Sequence, residues 1–508
     1  MSFPFAVPAL IRRHPLVWAW LVLLVWTMVL RLPFAHIVDD DEAFFSVVAT
    51  RWQHGELPYA ASFDVKPPLL FLIYLLANLV TNLLNGGGLA AIKGLEIVMV
   101  AWGAWALYRL VITHGARGAA IWAAGLYPVY SLALSGVDAP NLMIEAPFVI
   151  MACDYALRAR EGGLVAVAIC GALMGCAGLI KQTAAFEALA LMAFLAVSLS
   201  KHARLKSLAV FVAAAVAAWV PFIVYFAVNG ALLPAFDDVV RSAVMRFGND
   251  IVRTPSGQIR HVTTLDGLVY FLPCIKALFA LLWLAAVAAL RYRRLGAGWP
   301  RPLLHLCAFW LAGAALSLFS MHAMLEMYAQ DLVPPLLVVS GVMVTNGFAF
   351  SARTRTAWIC AYAAVVIAVP AYIDRGSLWF DAVKGRNDPV AIAGVAEVLK
   401  AQGVKPRDRI FVPRRGLMVY VATQTVPATD VFHPLQLVCP FPTPEAHPLA
   451  EGLAHRTDYL VVARNDLNMV CETAEQRAEL DQAIARDYQP LKVVTGQWDA
   501  FTIYRRKS

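Results

Sequence analysis

The sequence contains little charge and few cysteines for its length. Of its 508 residues, 15% are charged and 60% are hydrophobic, whereas soluble domains average about 25% charged and about 45–50% apolar residues. This composition excludes both a set of ordinary soluble domains and a disordered chain. The eight cysteines include no C-x-x-C pair, which excludes a zinc ribbon and a disulfide scaffold.

Nucleotide-binding loops are also missing. No G-x-x-x-x-G-K-[ST] or G-x-G-x-x-G segment lies between a predicted strand and a helix. This argues against ATP-driven transport and against a soluble nucleotide-sugar donor. The 42 Lys and Arg exceed the 34 Asp and Glu by a net charge of +8. In so apolar a chain this excess indicates membrane topology, and no nucleic acid is expected as a partner.

Long apolar runs dominate the chain, and their length of about 17–25 residues is typical of membrane-spanning helices. Another apolar run, residues 67–84, is ambiguous. Crossings are predicted near residues 16–34, 89–113, 119–134, 140–157, 164–180, 183–199, 207–228, 267–290, 302–320, 329–349 and 357–373.

Basic residues mark one side of the membrane. Fourteen Lys and Arg lie in six short segments, at residues 12–13, 114–117, 158–160, 201–206, 291–301 and 353–355. The positive-inside rule places all six in the cytoplasm. An even number of crossings must then separate each consecutive pair of cytoplasmic segments. Residues 67–84 meet this condition if they form an interfacial or re-entrant helix on the outer side; the alternative is that they cross. The prediction is about 11 crossings of a bacterial inner membrane, with the N-terminus cytoplasmic and the C-terminus periplasmic.

The expected fold is therefore a polytopic α-helical membrane protein with interfacial helices and a C-terminal extracytoplasmic α/β domain. The membrane domain covers residues 1–373, with outer loops at about 35–88 and 229–266, and the soluble domain covers residues 374–508. Cys439 and Cys471 could form a disulfide there or remain free thiols. In the soluble domain, strand patterns occupy residues 409–413, 458–464, 491–496 and 501–506, and amphipathic helix patterns occupy 389–402 and 474–487.

The first outer loop carries the most unusual charges. Four consecutive acids, Asp39 to Glu42, follow directly on a membrane span. Either Asp40 or Asp41 caps the following helix, or the acids do chemistry. Lys66 precedes an apolar helix, where it suits a lipid phosphate or simply snorkels to the surface. A carboxylate base and a lysine that holds a departing phosphate would together permit group transfer from a lipid phosphate.

These residues carry a resemblance to a known family. The pattern D-E-A-F-F…A-x-R-W-x-x-G-x-x-P-Y…D-x-K-P-P-L in residues 41–69 resembles the first periplasmic loop of GT-C superfamily membrane glycosyltransferases. Within them it is similar to the group of protein O-mannosyltransferases and lipid A aminoarabinose transferases (glycosyltransferase family 39-like). The resemblance covers roughly residues 12–350 in layout and is sharp over residues 40–70.

The resemblance implies inverting transfer of a sugar from a polyprenyl-phosphate donor, as a hexosyl- or pentosyltransferase. The acceptor would be a hydroxyl of an envelope lipid, glycan or protein, on the outer face of the inner membrane. The resemblance implies no definite cofactor and no definite metal site. A divalent metal could bind at Asp39–Glu42, but the implied mechanism does not require one.

The resemblance also assigns roles, residue by residue. Asp41 matches the general base, with Glu42 beside it as the second catalytic residue. Lys66 matches the lysine on the donor phosphate, and Arg51 and Lys181 are further phosphate candidates. The aminoarabinose transferases have an arginine where this chain has Phe44, so an aminoarabinose donor is disfavoured. Residues expected to contact the sugar or the acceptor are Asp40, Tyr59, Asp138, Glu145, Tyr328 and Gln330.

Other charges leave alternatives open. Lys93 and Glu96 share a helical face and are either an intramembrane functional pair or a structural one. The rival function is a secondary transporter or lipid flippase with an acidic outer gate, and a scaffold protein is the third option. Transporters place charges near the midplane, often in repeated halves, whereas here the unusual charges collect at one surface. This favours the enzyme.

Overall fold

The computed structural model describes residues 14–135, 140–161, 163–242, 244, 251–253, 259–261, 278–290, 299–320, 326–346, 387–438, 447–464 and 472–507. Its first part is helical, because lipid cannot satisfy backbone N–H and C=O groups and an apolar segment must bond them internally. The helices are α1 (Pro15–Arg31), α2 (Asp40–Gln53), α3 (Pro68–Leu83), α4 (Gly88–His114), α5 (Arg117–Ser135), α6 (Pro140–Ala159), α7 (Leu164–Gly178), α8 (Ala184–Ser198), α9 (Lys201–Val228), α10 (Leu232–Phe236), α11 (Leu278–Leu290), α12 (Arg301–Ser320) and α13 (Val333–Asn346).

Shorter elements join these helices. Leu32–Phe34 and Glu326–Leu332 are 3-10 turns, and Asp237–Ser242 is a π-helical turn after α10. A small antiparallel hairpin pairs β1 (Ile251–Arg253) with β2 (Ile259–His261).

Several helices could cross a membrane. Among the described residues, five stretches are long and apolar enough: Pro15–Phe34, Gly88–His114, Lys201–Val228, Arg301–Ser320 and Met327–Thr345. The helices α3, α7, α8 and α11 are apolar but shorter. These elements coincide with predicted crossings, apart from α3, which is the ambiguous run 67–84. The total of about 11 crossings remains a prediction.

The helices pack closely around α4, α5 and α6. Trp310 of α12 and Tyr127 of α5 are among the largest fully buried side chains. Gly171 and Gly175 of α7 lie against the backbone of Phe211 and Ala215 in α9, where a Cβ would find no room. Small residues at such contacts let two helices approach within a membrane, where packing replaces the hydrophobic effect.

The C-terminal residues form a mixed α/β structure. Its helices are α14 (Pro389–Ala401), α15 (Met418–Thr423), α16 (Pro434–Val438), α17 (Pro448–Ala454) and α18 (Ala474–Asp487), and its strands are β3 (Arg409–Ile410), β4 (Val426–Pro427), β5 (Tyr459–Ala463), β6 (Tyr488–Thr495) and β7 (Ala500–Arg506). An antiparallel sheet has the order β5-β7-β6, and β3 pairs with β4 in parallel. The predicted strands and helices of this segment are confirmed, although β3 is shorter than residues 409–413.

The C-terminal structure rests on the first loop. Asn387 forms an isolated bridge with Val38, and its N–H donates to the Val38 carbonyl at 3.1 Å. The ring of Phe432 stacks on Phe44 of α2 with centroids 4.6 Å apart. The first loop and the C-terminal structure therefore share one interface, and the candidate site lies there.

Candidate active site

The acidic run folds as the start of α2. Asp39 is the N-cap, and its side chain accepts from the Asp41 N–H at 3.3 Å. Glu42 closes a capping box by accepting from the Asp39 N–H at 3.1 Å. The expectation that Asp40 or Asp41 caps the helix is therefore wrong: the D-x-x-E spacing of Asp39 and Glu42 satisfies both orphan N–H groups at once.

Asp40 points into the C-terminal structure. It is partly buried, and its Oδ1 accepts from Asn387 Nδ2 at 3.1 Å and from the N–H groups of Gly416 and Leu417 at 3.3 and 3.2 Å. Burial raises the pKa of Asp40 above its ordinary value, with the neighbouring Asp39 acting in the same direction. These contacts place the predicted sugar-contacting carboxylate in an interdomain anchor.

Asp41 is the exposed member of the run. Its side chain is 43% exposed, and its Oδ1 lies 2.9 Å from Nε2 of His433, which is 11% exposed. Burial disfavours the imidazolium, but the hydrogen bond and the charge of Asp41 outweigh it and raise the pKa of His433. The arrangement orients a solvent-accessible carboxylate by a histidine from the other end of the chain.

Lys66 and this pair have a common neighbour, Asp64. The charges of Lys66, Asp41 and His433 all act on buried Asp64, whose pKa is raised by burial. Lys66 itself is partly exposed, and in the described part of the chain its ammonium forms no ion pair within 4.0 Å. Tyr59 is buried and donates its hydroxyl to the Lys66 carbonyl at 2.8 Å, which fixes the backbone beneath the lysine.

A second carboxylate stands next to Asp64. Asp238, in the turn after α10, is buried, and its pKa is raised to about 8, first by burial and then by the charge of Asp64. Gln182 ties these segments together, because its Nε2 donates to the carbonyls of Val65 and Val239, the latter at 3.1 Å. The first loop, the turn after α10 and the turn between α7 and α8 therefore converge.

Lys181 lies in a deeper acidic group. Its Nζ donates to Asp331 Oδ2 at 2.9 Å and is 4.0 Å from Glu145 Oε2. Its ammonium also lies 5.6 Å from the ring centroid of Tyr328. Glu187 interacts with Glu145, and its Oε1 accepts a hydrogen bond from Trp310 Nε1. Three carboxylates thus share one lysine.

Glu42 belongs to a buried ionic network. Its two oxygens lie 3.1 and 3.0 Å from Nζ of Lys93, which also contacts Glu96 at 3.1 Å. Arg31 of α1 pairs with Glu96 from the other side. Two acids and two bases are balanced here, and all four residues are at most 6% exposed. Lys93 and Glu96 therefore form a structural pair that reaches Glu42.

Comparison with known proteins identifies the fold. No family model and no curated protein matches the chain. Among solved structures, apo ArnT from Cupriavidus metallidurans matches with a TM-score of 0.59 and 15% identity, over 95% of this chain and 97% of that one. The Archaeoglobus fulgidus oligosaccharyltransferase, tethered with an NVT-sequon acceptor peptide, matches with a TM-score of 0.52 and 12% identity, over 98% of this chain and 75% of that one. The arabinofuranosyltransferase AftD from Mycobacteria matches with a TM-score of 0.51 and 16% identity, over 98% of this chain and 40% of that one.

This chain has the GT-C fold. At these identities the similarity establishes the fold, and any activity must be argued from the site. The GT-C fold was expected from the pattern in residues 41–69 and from the layout of residues 12–350, and the structural matches confirm that expectation.

Within the GT-C fold, the sequence-predicted residues separate into groups. Asp41 and Lys66 converge at the interface, whereas Lys181, Glu145 and Tyr328 meet deeper in the helices. Gln330 is buried there too, beside the Tyr127 hydroxyl. Asp138, Cys439 and Cys471 lie outside the described residues.

Arg51 differs from expectation. It was expected to face lipid headgroups, but its side chain is 2% exposed, and its Nε donates to Glu56 at 2.6 Å and its Nη2 to Asp430 at 3.1 Å. The guanidinium also lies 5.9 Å from the ring centroid of Phe432. Because two carboxylates already engage it, Arg51 joins α2 to the C-terminal structure.

Some residues of the site were not anticipated. His433 and Asp238 gave no motif, because their partners are far away in sequence. Asp331 lies beside Tyr328 and Gln330 in the run 327–336 but received no role. Asp64 did stand in the D-x-K-P-P-L pattern but received no role. Among the described residues, no group of three or more His, Cys, Asp or Glu side chains is placed to hold a metal ion.

Proposed function

We propose that the protein is an inverting glycosyltransferase that moves a sugar from a polyprenyl-phosphate donor to an envelope lipid, glycan or protein hydroxyl. The observation that carries the proposal is the half-exposed Asp41 carboxylate, which lies 2.9 Å from His433. The Lys66 ammonium forms no ion pair among the described residues and shares Asp64 with Asp41 as a neighbour. The GT-C fold supports it, since ArnT, the oligosaccharyltransferase and AftD are matched over nearly the whole chain.

In this mechanism, Asp41 accepts the proton of the acceptor hydroxyl as its oxygen attacks the anomeric carbon. The bond from that carbon to the phosphate oxygen breaks, and polyprenyl phosphate leaves with the bonding electron pair. Lys66 stabilises the negative charge that develops on the departing phosphate. His433 positions the Asp41 carboxylate through its hydrogen bond, and the single displacement inverts the anomeric configuration.

The surroundings favour Lys66 over the other two phosphate candidates. Lys181 already pairs with Asp331 at 2.9 Å and lies 4.0 Å from Glu145, so its ammonium is engaged within the protein. Arg51 is already engaged by two carboxylates. We therefore assign the donor phosphate to Lys66 and regard Arg51 as part of the interdomain contact.

Glu42, Asp40 and Tyr59 receive supporting roles. Glu42 balances Lys93, Asp40 anchors the C-terminal structure, and Tyr59 holds the Lys66 backbone. Glu145, Tyr328 and Gln330 remain candidates for lining a deeper part of the substrate cavity, because they gather around Lys181.

The reaction is proposed to take place on the outer side of a bacterial inner membrane. Both ends of α2 contact the C-terminal structure, at Asp40 with Leu417 and at Arg51 with Asp430. A helix in contact with a soluble domain at both ends lies along the membrane surface. These contacts support an outer first loop in which residues 67–84 do not cross.

The test compares envelope lipids and glycans by mass spectrometry in a strain that lacks the gene, complemented with wild type or with Asp41→Asn. Wild type should restore a component heavier by one hexose or pentose residue, and Asp41→Asn should not, although it folds normally. Asp237→Asn is the matched control, because Asp237 is an exposed acid with 55% of its side chain accessible. Restoration by Asp41→Asn would overturn the assignment of the base, and no mass difference in any strain would overturn the activity.

A further inference from the structure

A polar cavity lies on the other side of α2, away from Asp41. Its volume is about 400 Å³, within the range of about 300–1,000 Å³ that is typical of small-molecule sites. The walls come from α2, α3 and the C-terminal structure, and they include Thr50, Asn78, Asn82, Arg407 and Gln424. We propose that this cavity is a carbohydrate-binding site, separate from the catalytic centre.

Two buried groups in its wall lack a hydrogen-bond partner. Arg51 is 2% exposed and Asn78 is 5% exposed, yet Nη1 of Arg51 and Oδ1 of Asn78 make no hydrogen bond in the described part of the chain. The remaining atoms of both side chains are engaged. Asn78 Nδ2, for example, donates to the Ser46 carbonyl at 3.3 Å and to Thr50 Oγ1 at 3.2 Å.

The unpaired atoms define the ligand chemistry. Arg51 Nη1 requires an acceptor and Asn78 Oδ1 requires a donor, and a buried polar group without its partner is costly. A hydroxyl group both donates and accepts. A molecule with several hydroxyls offers both kinds of group to this wall, which also includes Thr50 and Gln424.

The charge of the cavity agrees with a carbohydrate that is neutral or weakly acidic. Glu56 and Asp430 neutralise Arg51. Burial and the charge of Arg407 lower the pKa of His54, which favours its neutral ring. Arg407 is then the remaining positive charge among the lining residues.

Helix geometry separates this site from catalysis. Thr50 follows Asp41 by nine residues, which is two and a half turns at about 3.6 residues per turn. It therefore lies on the opposite side of α2 and about 13 Å along the axis. A ligand in the cavity would contact both the first loop and the C-terminal structure without reaching Asp41.

The experiment uses the full-length protein in detergent on a printed array of neutral and uronic-acid oligosaccharides. Gln53→Trp and Asn82→Trp fill the cavity from two exposed positions and remove no buried hydrogen bond. Gln489→Trp is the matched control, because Gln489 is exposed on β6 and does not line the cavity. Thermal unfolding of each variant confirms that it is folded.

Wild type, Gln489→Trp and Asp41→Asn should bind the same oligosaccharides, and both filled variants should bind them at least tenfold more weakly. Absence of binding by wild type would overturn the proposal, and so would undiminished binding by the filled variants. Loss of binding in Asp41→Asn would place the carbohydrate at the catalytic centre instead. If the cavity site fails while Asp41→Asn still abolishes sugar transfer in cells, the proposed enzyme activity stands on its own.

Discussion

Changing the charge balance around Glu42 can show whether its role is structural or catalytic. In the network of Arg31, Lys93, Glu42 and Glu96, Glu42→Gln keeps an oxygen that can accept from the Asp39 N–H but removes one negative charge. Lys93 and Arg31 then share one remaining buried acid, Glu96. Breaking a buried pair by removal of one partner costs about 3–5 kcal/mol. We expect Glu42→Gln to lower the free energy of unfolding by that amount.

The rescue is Glu42→Gln with Lys93→Met, which leaves the Arg31–Glu96 pair balanced. Unfolding in detergent should show most of the lost stability restored, and sugar transfer should return with it. Glu397→Gln is the control, because Glu397 is exposed on α14. A double variant as stable as wild type but without transfer would show that Glu42 takes part in the chemistry, and the structural assignment would be wrong.

Three further predictions concern the interface. Because the pKa of His433 is raised, its attraction to Asp41 stabilises the fold below about pH 6.5. This stabilisation is lost as pH rises through the folded-state pKa of His433. The thermal stability of His433→Gln should not show that loss. Lys66→Met should lower kcat/KM for the lipid-linked donor about ten- to a hundredfold, as expected for a charge-assisted hydrogen bond, while Lys66→Arg retains more activity in the same assay. Asp238 has a pKa raised to about 8, so the folded state holds a proton that the unfolded chain releases, and stability should fall as pH rises between about 4 and 8. Asp238→Asn should flatten that part of the unfolding profile, and an unchanged profile would contradict the assigned burial.

Local pattern was sufficient for much of the fold. The amphipathic repeat in residues 474–487 predicted α18, whose N-terminus Thr473 and Gln476 close with a capping box. Alternating apolar residues in 501–506 predicted β7, the central strand of its sheet. In these segments, the neighbours that determine the conformation lie within a few residues along the chain.

The candidate site depends instead on contacts across the whole chain. Asp41 and His433 are 392 positions apart, and no spacing rule connects them. The choice between Asp41 and Glu42 as the exposed acid also depended on Lys93, which draws Glu42 inward. One local signal was available but was not used: the D-x-x-E spacing of Asp39 and Glu42 already favours a capping box.

The distribution of buried charge indicates where a phosphate can bind. The Glu42 network is neutral, and the Lys181 group carries more acids than bases, so neither offers net positive charge. Lys66 differs because its ammonium has no ion-pair partner within 4.0 Å among the described residues, and because it immediately precedes Pro67, the N-cap of α3. The positive end of a helix dipole attracts anions within its first turn. Ammonium and helix terminus therefore act on the same point, and a lipid phosphate held there would lie near Asp64, which neighbours both Lys66 and Asp41.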